Sequence, residues 1–173
     1  MEGISTEEIE RMEDFIFHLS NNQMIDWKAD LIHKQPFLVK LMTHSILTNK
    51  VTDAEDFLFR MTFIVLKCFE VYGIELPRFN DKDISKWDKK WKALIIEGTG
   101  ELHYLNLERV GDTVGQGILC RFIHDKYMEK YAPVTQDEYN QAQLKFNTLN
   151  VVVLMIGGTV EGILKKRNNS ISK

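Results

Sequence analysis

Four of the five histidines have an acidic neighbour at short spacing. Asp14 and His18 are i,i+4, Asp30 and His33 are i,i+3, Glu101 and His103 are i,i+2, and His124 adjoins Asp125. An imidazole beside a carboxylate can hold a divalent cation or act as a general base. Cys120 stands one helical turn before His124, the separation a thiol–imidazole pair needs. Arg11 and His18 are i,i+7, so they share a helix face two turns apart and could serve one anionic substrate. Lys82, Lys86, Lys89, Lys90 and Lys92 surround Trp87 and Trp91. Cations interleaved with aromatics can bind single-stranded nucleic acid by stacking and phosphate contact.

Three of these constellations resemble known patterns. His103 with His124 and Asp125 is similar to the ligand set of HD-type metal-dependent phosphohydrolases. That family also uses a distal Asp, and Asp137, the only Asp after Asp125, is placed in a helix cap. Arg11-x6-His18 resembles the Arg-x-His motif of HEPN-type ribonucleases, where both side chains assist in-line attack on RNA. Leu107-Glu-Arg-Val-Gly-Asp-Thr-Val114 resembles the groove-binding helix of apoptosis regulators, which would lay Leu107, Val110 and Val114 into a partner.

Elements that must position these residues are all helical. Ser5-x-x-Glu8, Thr52-x-x-Glu55 and Thr135-x-x-Glu138 are capping boxes, in which hydroxyl and carboxylate satisfy backbone N–H groups at a helix start. Periodicity predicts helices over about 6–19, 25–33, 36–48, 53–72, 83–97, 101–109 and 112–131, with a last one from 136 to about 165. Ser20-Asn-Asn22 reads as the end of the first. Pro36 reads as the first residue of the third. The 53–72 helix is apolar on nearly every side, with a thin polar line of Asp56, Arg60, Lys67 and Glu70, and belongs at the centre of the domain. Trp87 and Trp91 fall on one stripe with Ile84, Leu94 and Ile95. Their rings are therefore expected in the core, leaving Lys86, Lys89 and Lys90 as a solvated surface suited to an acidic partner. Ile118, Leu119, Phe122 and Ile123 likewise imply that Cys120 is buried. No stretch shows two-residue alternation, so the expected fold is a single all-α domain of six to eight helices over residues 1–167, with a frayed polar tail at 168–173.

Val151 to Leu164 is the most apolar run and contains Gly157, Gly158, Gly162 and Glu161. A membrane-spanning helix needs about 20 apolar residues, and this run is fourteen residues long, interrupted by its three glycines and Glu161. The glycine spacing is neither that of a dinucleotide fingerprint nor that of a phosphate loop. Close helix packing at Gly157, Gly158 and Gly162 is the expectation, with Trp27, Trp87 or Trp91 as the crossing neighbour. The net charge of −3 excludes a whole-molecule basic field, and 44% hydrophobic residues suit a globular core. Two cysteines in apolar helical settings fit a reducing compartment, so the expected location is cytoplasmic, away from membranes. The functional expectation is a non-enzymatic protein–protein interaction module, an adaptor, inhibitor or immunity-type protein. Its partner is another protein or a second copy of the chain, not nucleic acid, and no cofactor or metal is expected. The alternative is a helical hydrolase of HD or HEPN type using His103, His124 and Asp125, or Arg11 and His18.

Overall fold

A computed structural model describes residues 3–48, 55–96, 110–131 and 135–171. Among the described residues the chain is all-α and contains no strand. The helices are α1 (Thr6–Phe17), α2 (Asn21–Lys34), α3 (Pro36–Thr48), α4 (Glu55–Glu70), α5 (Asp81–Ile96), α6 (Gly117–Tyr131) and α7 (Gln136–Ile171).

Local chemistry explains most of the helix ends. Ser5 accepts from the Glu8 N–H while Glu8 returns to the Ser5 N–H, closing the first capping box. Thr135 and Glu138 make the same exchange before α7. Ser20 does so with Gln23. This corrects the expected start of α2, because Ser20 opens a helix at Asn21 instead of merely closing the previous one. Gly73, at φ 59°, ends the stretch that follows α4 in a conformation other residues adopt at a cost. The capping box at Thr52, the Gly98–Gly100 break and the 101–109 helix lie outside the described residues.

The helix expected over 112–131 is two pieces. Residues 110–114 are helical, Gly115 turns the chain at φ 65°, and α6 starts afresh at Gly117. Gln116 sits in the break with its side chain buried. Its Oε1 accepts from the Ile4 N–H at 3.0 Å, and its Nε2 donates to the Tyr72 hydroxyl at 2.7 Å. One amide thus joins the N-terminus, the end of α4 and the α6 start.

α4 and α7 form the centre. α4 packs on α1, α3 and α7, while α5, α3 and α6 also lie against α7. Leu58, Met61, Ile64, Val65 and Cys68 of α4 are fully enclosed. Its polar line is satisfied locally, Arg60 pairing with Asp56 at 2.8 Å and Lys67 with Glu70 at 2.8 Å. The buried Thr62 hydroxyl donates to Met42 Sδ at 3.1 Å, tying α4 to α3.

α7 is longer than expected, with 36 residues ending at Ile171, not near Lys165. That corresponds to about 54 Å. Its section Thr148–Ser170 is long and apolar enough to cross a membrane by length and composition, and 61% of the most apolar window is buried inside the fold. A core helix meets the same criterion, and Val152 to Ile156 here are core residues.

Candidate functional site

α2 rests on α3 and stands off α4. Bulky rings hold it there: Trp27 of α2 meets Phe63 of α4 edge-on, ring centroids 5.3 Å apart. Between the two helices and the 73–80 connector lies a cleft of about 540 Å³. Its volume is that of a ligand or side-chain pocket. Trp27 is half-buried; its other neighbour is Phe15 of α1, 5.6 Å away and 47% exposed. An aromatic run therefore leads from the surface at Phe15, through Trp27, to the buried Phe63.

The connector forms the outer wall, and buried Gln35 holds it. Gln35 Nε2 donates to the Pro77 carbonyl at 3.0 Å, and its Oε1 accepts from the Phe79 N–H at 3.0 Å. Charges at the rim are largely paired. Lys34 binds Asp30 at 2.9 Å. The hydrogen bond it donates to Asp30, then the charge of that carboxylate, raises the Lys34 ammonium above the usual lysine range. Lys67, held by Glu70, also places its ammonium 5.1 Å from the centre of the Trp27 ring. The residues lining this cleft include no histidine, cysteine, serine or threonine. The arrangement can bind an apolar or aromatic group.

A second cleft, about 430 Å³, lies between α1, α4 and α6. Arg60 donates there to the Ile16 carbonyl at 2.9 Å, and Lys126 pairs with Glu13 at 2.6 Å. The hydrogen bond to Glu13 leads the upward shift of Lys126. These are cross-helix ties between structural elements.

Of the described residues singled out from sequence, Arg11 and His18 belong to the first helical region, His33 to α2, and His124 with Asp125 to α6. His18 Nδ1 lies 2.7 Å from the Asp14 carbonyl oxygen and 3.1 Å from its carboxylate, both side chains well exposed. Arg11 is exposed on the same helix. His33 is exposed, and its expected partner Asp30 is taken by Lys34, which corrects that pairing. His124 meets Asp125 at 3.1 Å. His103, the third member of that set, and Glu101 lie outside the described residues. Among the described residues no group of three His, Cys, Asp or Glu side chains could hold a metal ion.

Cys68 and Cys120 are buried thiols. Desolvation first, then the charges of Glu8 and Asp112 respectively, pushes each up to about 12. A thiol so far from ionising is no nucleophile near neutral pH, which removes the Cys120–His124 pair. Val110 and Val114 face the core at 0% and 1% exposure, so two of the three anchors in the likeness to a groove-binding helix are already used; Leu107 lies outside the described residues. Gly111 is inside the 110–114 turn, and the break expected there falls at Gly115.

The glycines separate into two kinds. A Cβ on Gly158 would lie 2.7 and 2.8 Å from Trp87 Cζ2 and Cζ3 and nearer still to Cη2, so the indole occupies that space. At Gly157 it would press on Val114 and Phe69 at 3.0 and 3.1 Å. Among the described residues nothing stands within 4 Å of a Cβ at Gly162, so none of them supplies the close packing expected there. Lys86, Lys89 and Lys90 are exposed, with the Lys86 and Lys90 ammonium groups 5.0 and 4.9 Å from the centre of the buried Trp87 ring.

Compared with known proteins, the chain matches no family model, no curated protein and no solved structure.

Proposed function

We propose that this protein is a non-enzymatic protein-binding module, an adaptor, inhibitor or immunity-type protein, that takes an apolar group of its partner into the α2–α4 cleft. The observation that carries this reading is the placement of Trp27. It is half-buried between exposed Phe15 and enclosed Phe63, and it lines a cleft whose rim carries the Lys34–Asp30 and Lys67–Glu70 pairs. A tryptophan in an apolar depression, ringed by polar groups that exclude water, is the usual anchor of a protein interface. Gln35 fixes the outer wall in advance, so less order has to be gained on binding.

The test is affinity capture from the source cell with the native protein, Leu66→Glu and Glu7→Gln side by side. Leu66 lines the cleft, whereas Glu7 is exposed on α1. One partner should be retained by the native protein and by Glu7→Gln. Leu66→Glu should lose it by about tenfold or more, the cost of a carboxylate facing an apolar group. Equal capture by all three variants overturns the cleft. Hydrolysis of a phosphodiester or of RNA that disappears in His124→Ala or His18→Ala replaces the binding reading with the hydrolase.

A further inference from the structure

We propose that the exposed face of α5 is a second docking surface, a cationic strip that takes an acidic helical segment of a partner protein. It lies apart from the cleft and does not depend on it.

Lys82, Lys86, Lys89 and Lys90 stand at i, i+4, i+7 and i+8, so they share one face over about 12 Å. All four are exposed. The carboxylates of the same helix are engaged elsewhere. Asp81 pairs with Lys40 of α3 at 3.4 Å, Asp83 accepts from the Asn80 N–H at 3.0 Å, and Asp88 pairs with Lys92 at 2.6 Å. No ion pair among the described residues joins the four strip lysines to a carboxylate. Like charges at turn spacing cost helix stability. Here they stand unneutralised on a protein whose net charge is −3.

Two of the four are also held in place. The Lys86 and Lys90 ammonium groups lie over the Trp87 ring, which fills the space left by Gly158. Their positions are partly set before a partner arrives, which lowers the ordering cost of binding. The spacing of the strip matches carboxylates one turn apart on a facing helix. Nucleic acid fits less well, because Trp87 and Trp91 are 6% and 3% exposed and present no ring on which a base could stack.

The experiment is fluorescence anisotropy with the whole chain at low salt. Three labelled probes are used: a helical peptide with glutamates at i, i+4, i+7 and i+8, its glutamine counterpart, and a short single-stranded DNA. The glutamate peptide should bind and the glutamine peptide should not. Raising salt to about 0.3 M should weaken binding by about tenfold, since the contact is between exposed charges. Lys86→Gln/Lys89→Gln/Lys90→Gln should lose about tenfold. The matching triple arginine variant should keep the affinity, and Leu66→Glu in the cleft should leave it unchanged. Failure of the glutamate peptide to bind at low salt overturns the proposal, as does indifference to the triple glutamine change. Tighter binding of the DNA assigns the strip to nucleic acid instead. Light scattering that shows self-association, abolished by the triple variant, assigns it to a second copy of this chain.

Discussion

Two stretches of α7 meet different surroundings although one continuous helix carries them. From Thr148 to Gly157 every residue is buried, and the glycines near the end of that stretch are filled from outside, Gly158 by the Trp87 ring and Gly157 by Val114 and Phe69. From Glu161 onward the side chains are half-buried, from Lys165 to Ser170 they are exposed, and Gly162 has open space around it. The same residue type thus does opposite things one turn apart. Glycine weakens a helix interior by about 1 kcal/mol relative to alanine. At Gly158 a well-packed indole offsets that loss; at Gly162 nothing visible does.

The comparison breaks most sharply at Gly158. Gly158→Leu should destabilise the fold by about 3 kcal/mol, since the new side chain must displace Trp87 from the core. Chemical denaturation would show it, and a stability at or above that of the parent would mean the Trp87–Gly158 contact is not structural. Gly162→Ala should go the other way, adding about 0.5–1 kcal/mol through helix propensity with no steric penalty. A lower melting temperature in calorimetry would reveal a neighbour at that face. The smallest effect belongs to the end of the helix. Removing the chain after Arg167 takes away the exposed side chains of Asn168, Asn169 and Ser170 and should move stability by no more than about 0.5 kcal/mol. A larger loss would mean that the last turns bear on the core.

Much of the helical framework could be read from the sequence, and the reasons for the misses are physical. Pro36 marks the start of α3 because its fixed φ and missing N–H suit only a first turn. The centrality of α4 follows from its apolar residues on every side. Ser20 was ambiguous because a polar triplet after one helix looks the same whether it ends that helix or caps the next; Gln23 decides it through a side-chain bond. The break at Gly115 was hidden because Val114, Ile118 and Phe122 continue an i,i+4 helical spacing across it, and only the positive φ interrupts the chain. Glycine spacing pointed to Gly158 but could not separate it from Gly162, since what fills the space comes from α5. The cleft was not legible at all. Trp27, Leu66 and Leu76 come from three elements that meet only in the fold, and each looks like an ordinary core residue in its own segment. His18 and His33 show the reverse: spacing that suggests chemistry, placed on exposed helix faces.

Gln35 has a consequence for how the molecule loosens. The 77–79 wall of the cleft is tied to α2 by the two hydrogen bonds of a single side-chain amide and to the core by the buried Phe79 ring, while the α4–α7 centre is held by many enclosed apolar residues. Segments with few ties open at lower free energy than the body they belong to. The connector is therefore the seam along which warming or dilute denaturant would part the structure first. The Phe79 amide would exchange with solvent while the core amides of α4 remained protected. The mouth of the cleft would then respond to temperature over a range in which the bundle itself does not change.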